Sequence, residues 1–205
     1  MARISAAARR ELLFAAALRV LSRDGLSALS TRAVVAEAGM PLASFHYAYT
    51  SREELLAEII SSVIDQERDA GFTGLAAAGD DLREVLRSAV EAYLVLLAAD
   101  PGREQGMFEL TQLALRTPSL AHLARAQYES YHALAADLLD HLADRLDVVW
   151  RHPVPELARL LIAQLDGITL AWLADRDDEA ARRLADLAID ALLVHADEPA
   201  LRGTR

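Results

Sequence analysis

Between Leu82 and Leu97 the apolar residues fall at Leu82, Val85, Leu86, Ala89, Val90, Tyr93, Leu96 and Leu97. Steps of three and four place them all on one face of an α-helix. A strand would scatter them over both of its faces, so only a helix can bury them together. The same spacing recurs at Leu13, Ala17, Val20 and Leu21, and again at Leu55, Leu56, Ile59, Ile60 and Val63. A longer stripe holds Leu120, Leu123, Tyr131, Leu138, Leu142 and Leu146. No stretch alternates with period two, and no repeat of 20–50 residues occurs. Composition agrees: 41 of the 205 residues are Ala and 36 are Leu, the strongest helix formers. With 53% hydrophobic and 25% charged residues, a packed core is expected and disorder is not. The expected fold class is all-α.

Punctuation residues divide the helical pattern. A first helix is predicted over 7–23, ended by Gly25. Ser30 is a good N-cap for a short second helix, 31–38. Gly39-Met40-Pro41 breaks the chain before a third helix, 42–48. Ser51 with Glu54 forms a capping box that opens a fourth. Gly71 and Gly74 then read as a loop, which divides a head, 1–70, from a body, 71–205. In the body, Asp100-Pro101 and Thr117-Pro118 each read as an N-cap followed by Pro at the first helical position. Pro153 and Pro155 break the long helix that follows. Two last helices are predicted near 155–174 and 178–195.

Several function classes are excluded or weakened. Cys is absent, which removes disulfides, zinc–thiolate sites and a Cys nucleophile. There is no Gly-x-Ser-x-Gly elbow, no His-Glu-x-x-His and no phosphate-binding glycine loop, so no catalytic residue is assigned and no enzyme is expected. Glu129 and His132 form one Glu-x-x-His. A ferritin-like di-iron enzyme, the alternative reading, needs two such motifs with two further Glu. Asp137, His141 and Asp144 share a helical face, which reads as a solvated acidic face rather than a metal site. No metal and no cofactor are expected. No run reaches the roughly 18 apolar residues of a membrane span. Arg9-Arg10 before Leu12-Leu13-Phe14 superficially matches a twin-arginine export signal. Arg19, Arg23 and Asp24 interrupt its apolar region, so it reads as an ordinary helix start. The expected location is the cytoplasm, with no membrane partner.

Charge is distributed unevenly. The whole chain carries −10, and all of its 21 basic residues are Arg. Residues 1–52 hold seven Arg against Glu11, Asp24 and Glu37, a net of +4, whereas residues 53–205 carry −14. A basic head on an acidic body implies that only the head meets a polyanion. A purely structural helical interaction protein, the other alternative, has no reason to concentrate Arg there. Within the head, the short helices joined by a three-residue glycine turn match a helix-turn-helix over about 30–49. Its second helix would enter a DNA major groove. The expected DNA-contacting residues are Thr31, Arg32, Ser44, His46, Tyr47 and Arg52. Arg32 can reach a phosphate or a guanine edge. Ser44, His46 and Tyr47 offer hydroxyl, imidazole and phenol groups to phosphates or bases, and Arg52 sits at a helix N-terminus that itself favours phosphate. Phe45 is assigned to the head's core, while Arg3, Arg9 and Arg10 add backbone attraction or belong to a tail.

The run Gly25, Ser30-Thr31, Ala38-Gly39-Met40, Ser44-Phe45-His46-Tyr47, Tyr49 and Ser51-Arg52-Glu53-Glu54-Leu55-Leu56 resembles the N-terminal signature of TetR-type (tetracycline-repressor-like) transcriptional regulators. The resemblance spans roughly 9–64. Leu165-Asp166-Gly167-Ile168-Thr169-Leu170-Ala171-Trp172-Leu173-Ala174 is similar to the family's penultimate helix. The departures are His46 for a frequent Tyr, Arg52 for a Lys, Tyr49 for a Phe and Val35 for a small Ala. The resemblance implies a three-helix DNA-binding head followed by a helical ligand-binding and dimerisation body. It implies a homodimeric repressor on an inverted-repeat, double-stranded DNA operator, released by a small apolar or amphipathic effector. Candidate pocket residues are Tyr93, Met107, Phe108, Gln112, Tyr128, His132, Gln164 and Trp172. Candidate dimer faces are Leu161, Leu165, Ile168 and Trp172, with Leu184, Leu187, Ala191 and Leu192.

Overall fold

The computed structural model describes residues 5–197. Along them run α1 (Ala6–Asp24), α2 (Thr31–Glu37), α3 (Ala43–Ala48), α4 (Arg52–Ala77) and α5 (Leu82–Ala99). They are followed by α6 (Pro101–Arg116), α7 (Ala121–Leu146), α8 (Val154–Asp175) and α9 (Asp178–Leu193). Strands β1 (Val149–Trp150) and β2 (Ala196–Asp197) are two residues each and pair antiparallel, Val149 opposite Asp197. The expected all-α class is the class observed.

Local chemistry sets most boundaries. Ser5, Ser30 and Asp100 cap α1, α2 and α6, each accepting a backbone N–H three residues on at 3.0–3.1 Å. Gly25, at φ +79°, ends α1 and returns its N–H to Leu21 at 2.9 Å. Gly39, at φ +65°, makes the turn before α3, a left-handed backbone that a side chain would strain. Ser51 Oγ accepts the Glu54 N–H at 3.1 Å. The return half of the box goes one residue further back, because Glu54 Oε2 takes both the N–H and the hydroxyl of Thr50 at 2.8 Å.

Two expectations are corrected. Gly71 and Gly74 are not a loop: α4 runs through both. A Cβ on Gly74 would lie 2.6 Å from the Ser88 carbonyl oxygen, and one on Gly71 would lie 3.2 Å from Leu138. These glycines let helices approach instead of letting the chain turn. Thr117 gives no side-chain cap, and Pro118–Leu120 forms a 3₁₀ turn before α7 begins at Ala121.

The chain packs as two compact units that cut across its order. Unit 1 takes the described residues up to Val63 together with Asp100–Gln127, and unit 2 takes Ile64–Ala99 and those from Tyr128 onward. Packing therefore divides the chain differently from the sequence division at 70/71. Helix α6, placed in the body by chain order, belongs to unit 1. Glycine explains this too, since a Cβ on Gly102 would overlap the Ser22 carbonyl and one on Gly106 would lie 2.6 Å from Leu21. At the start of α6, Ser22 Oγ bonds Asp100, and Arg103 pairs with Glu104 at 2.7 Å, both side chains buried. Burial pushes the Glu104 carboxyl up, and the Arg103 charge opposes that rise.

Unit 2 has its own core, built from α5, α7, α8, α9 and the end of α4, with Leu86, Leu97, Leu139, Ala158, Leu161, Ile168, Trp172, Ile189 and Leu192 inside it. Along its surface Arg83–Asp190, Arg87–Asp186 and Arg182–Glu91 form a ladder of ion pairs between α5 and α9. Leu161, Ile168, Trp172 and Leu192 are spent inside this core and are not a free dimer face. Leu165 and Ala191 are half-buried. Exposed large apolar side chains on these two helices are Leu160 and Leu170 on α8, and Leu184 and Leu187 on α9. Helix α8 is, by length and composition, apolar enough to cross a membrane, a property the run-length expectation missed. One face lies in the core, and Leu160, Ala163, Gly167, Leu170, Ala171 and Ala174 are exposed on the other.

Candidate nucleic-acid interface

Unit 1 builds the head from the inside out. Leu13, Ala17 and Val20 of α1, Val34 and Val35 of α2, Phe45 of α3 and Leu55 and Ile59 of α4 are buried. Phe45 and Tyr49 pack ring to ring at 5.2 Å, fixing α3 by one aromatic at its centre and one at its end. With Phe45 turned inward, the next two residues turn outward. His46 is exposed, and Tyr47 is 75% exposed, the most open large side chain of the head. Ser44 is half-buried, Thr31 half-buried and Arg32 exposed. Among the described residues Arg32 makes no ion pair. Leu42, 44% exposed just ahead of α3, was not singled out from the sequence. Its position beside the Gly39 turn was the available signal.

The arginines divide into free and committed groups. Arg9 lies over the Tyr47 ring at 5.7 Å. Arg10 turns inward, bonding Glu54 Oε1 at 2.8 Å, Glu58 Oε2 at 2.6 Å and the Ala48 carbonyl at 2.8 Å, and covering the Tyr49 ring at 4.4 Å. Its guanidinium is held charged, first by Glu58 and then by Glu54. The Glu54 carboxyl is pulled down to about 2, chiefly by the Thr50 backbone and hydroxyl and next by Arg10. Arg19 and Arg23 both bond Glu37, and Arg23 also bonds Asp24. Arg52 donates Nε to the Leu29 carbonyl at 3.0 Å and Nη2 to that of Leu26 at 3.4 Å. Arg52 thus holds the turn before α2 with two of its N–H donors, while the side chain stays exposed. Arg3 lies outside the described residues. Among the described residues, the head's arginines without a carboxylate partner are Arg9, Arg32 and Arg52.

The pocket candidates separate by unit. In unit 1, Met107 is buried, Phe108 half-buried and Gln112 exposed. In unit 2, Tyr93 bonds Thr169 at 2.5 Å, and the Trp172 indole donates to Asp178 at 2.7 Å. The Gln164 carbonyl oxygen is buried with no partner among the described residues. The Tyr128 hydroxyl donates to Asp166 at 2.8 Å, with the Tyr131 and His132 rings each 6.0 Å from the Tyr128 ring. Burial pushes the Asp166 carboxyl up and His132 down. Asp137 and His141 have other uses: Asp137 pairs with Arg68 at 2.7 Å, and His141 packs edge-on against Phe72.

Residues 13–59 match the model of bacterial regulatory proteins of the tetR family, and residues 82–194 match that of the BetI-type transcriptional repressor C-terminal region. Over 191 residues the chain is 29% identical to the HTH-type nicotine-responsive transcriptional repressor HdnoR of Paenarthrobacter nicotinovorans, covering 93% of this chain and 97% of that protein. The crystal structure of the multidrug binding protein EbrR complexed with imidazole is 30% identical, with a TM-score of 0.58 over 95% of this chain and 98% of that one. A putative TetR-family regulator from Mesorhizobium loti shares the fold, with a TM-score of 0.75 at 19% identity, covering 95% and 99%. An outward-facing short helix on a buried aromatic, the glycine turn before it and these matches agree: the chain belongs to the TetR family of bacterial DNA-binding transcriptional regulators, with a BetI-type C-terminal region.

Proposed function

We propose that this regulator is a cytoplasmic homodimeric repressor that sits on an inverted-repeat operator and leaves it when a small organic effector binds the body. The observation that carries the reading is the outward set on α2 and α3: Arg32, Ser44, His46 and Tyr47, unspent in folding, with Thr31 and Leu42 at its margin. Short polar and aromatic side chains at the start of a recognition helix reach base edges in the major groove, and Arg reads guanine or phosphate. Two-fold symmetry then repeats the contact one helical turn away, which is why an inverted repeat is expected. The exposed apolar face of α8, with Leu184 and Leu187 of α9, supports pairing of two copies. Selection from a random duplex library by the full-length protein tests this. An inverted repeat is the expected product, and a pool without consensus contradicts the reading.

Unit 2 supports a basic nitrogen compound as the effector. Asp166 is a half-buried carboxylate whose hydrogen bond comes from a phenol, and no cation pairs with it among the described residues. The phenol that bonds it, Tyr128, has the Tyr131 and His132 rings 6.0 Å away. A carboxylate among aromatic faces suits a protonated amine or heterocycle. Nicotine and imidazole, the ligands the relatives' names carry, are the first probes. Release of the selected duplex by either one, lost in Asp166→Asn, is expected. No release by either counts against a basic heterocycle, and release undiminished in Asp166→Asn moves the effector site elsewhere.

A further inference from the structure

The turn between α1 and α2 is held from two sides by side chains distant in sequence, both within unit 1. The Leu26 N–H donates to Glu109 Oε2 at 2.7 Å, and the Leu26 carbonyl accepts from Arg52 at 3.4 Å. Arg52 also takes the Leu29 carbonyl at 3.0 Å. Gly25, next to Leu26, sits so close that a Cβ there would lie 3.0 Å from Glu109 Oε2. Ser30, the residue after this turn, is the N-cap from which α2 and Arg32 are hung. The turn's own backbone bonds are few: Ala28 to Gly25 at 3.3 Å, Leu29 to Leu26 at 3.1 Å and Ser30 to Ala28 at 2.7 Å.

Glu109 is itself immobilised. Gln105, one turn earlier on α6, donates to its other oxygen at 3.0 Å. Helix α6 is seated against α1 at Gly102 and Gly106 and tied there by Asp100 to Ser22. A carboxylate on a DNA-binding unit repels phosphate, so one retained there has another use, and this one makes a charge-assisted bond to a single backbone amide.

We propose that Glu109 is a positioning residue for DNA recognition: its carboxylate, opposite Arg52, holds the α1–α2 turn so that α2 and α3 meet the duplex at a fixed angle. This rests on the DNA-binding reading of the head. It assigns α6, placed outside the head by the matched family models, a direct part in setting the head's geometry.

The test uses the full chain, the duplex selected by the wild-type protein and a random duplex of equal length at low salt. Glu109→Ala is expected to weaken the selected duplex about tenfold, the worth of one hydrogen bond to a charged group. Random-duplex affinity should stay near wild type, because non-specific attraction depends on charge more than on angle, while Tm should fall somewhat as the Leu26 N–H loses its partner. Glu109→Gln keeps an acceptor oxygen and should bind within about threefold of wild type. Hydrogen exchange at the Leu26 amide should speed up in the Ala variant and not in the Gln variant. Should Glu109→Ala fail to fold, Glu109→Asp, one methylene too short to reach Leu26, takes its place with the same expectation. Wild-type affinity in the Ala or Asp variant overturns the proposal, as does an equal loss on both duplexes. A wild-type protein that selects no sequence overturns the DNA-binding reading and this proposal with it.

Discussion

Arg32 and Arg52 carry the same charge twenty residues apart and do different work. Arg32 is exposed and makes no ion pair among the described residues, whereas Arg52 donates to the Leu26 and Leu29 carbonyls. Arg32→Ala should therefore weaken the selected duplex by about 1–3 kcal/mol with unchanged Tm. Arg52→Ala should lower Tm by leaving carbonyls unpaired. Thermal melts and anisotropy on both variants separate the two roles, and an unchanged Tm in Arg52→Ala would contradict the assignment. Both residues are Arg in a basic segment, and nothing in the sequence reveals which has carbonyls beneath it. The exposure of Tyr47 follows from Phe45 and Tyr49 lying in the core, and of these the sequence assigned only Phe45 inward. Glu54 adds a pH dependence. Its folded-state pKa of about 2 lies below the ordinary 4.5, so its contribution is complete above about 4.5 and is lost as pH falls toward 2. Glu54→Gln should flatten the acid limb of a pH–stability curve over that window. An identical limb in the variant would show that Thr50 and Arg10 do not hold this carboxylate.

At the scale of elements, helix existence was legible from spacing and helix ends from capping chemistry. Ser30, Asp100 and Gly25 all act where the residue types said they would. Glycine was the failure. A sequence shows that a Cβ is missing but not whether a turn or a neighbouring helix needs it missing. Gly25 and Gly39 serve positive φ, whereas Gly74, Gly102 and Gly106 serve close approach. The consequence is measurable. Gly102→Ala puts a methyl against the Ser22 carbonyl and should destabilise the protein by about 3 kcal/mol, although Ala is the better helix former. Gly167→Ala, with open space around it, should stabilise the isolated chain by up to about 1 kcal/mol. Denaturant titration of the two variants should give opposite signs, and a neutral Gly102→Ala would mean α6 is not seated on α1 as described.

For the whole molecule, chain order and packing disagree, and the disagreement organises the function. A division at 70/71 follows from reading Gly71 and Gly74 as a loop, whereas packing draws α6 into unit 1. The +4 assigned to residues 1–52 overstates the charge offered to DNA, because Arg10 is answered by Glu54 and Glu58, which lie beyond that segment. Periodicity found the apolar residues of α8 and α9 but could not say which face stays outside, since α8 is apolar on two. Leu170 and Leu187, 58% and 62% exposed, are the better test of assembly. Leu170→Arg with Leu187→Arg should sediment as a folded monomer where wild type sediments as a dimer. A double variant that remains dimeric would place the contact elsewhere.

The most direct measurement is the salt dependence of binding to the selected duplex and to a random one, by fluorescence anisotropy. Arg9, Arg32 and Arg52 in each of two heads would displace about six counterions, a slope of log affinity on log salt near −5. Near physiological salt the selected duplex should bind at least about a thousandfold tighter than the random one. Equal affinity for both duplexes, or an affinity indifferent to salt, would contradict the account of α2 and α3 as a sequence-reading surface.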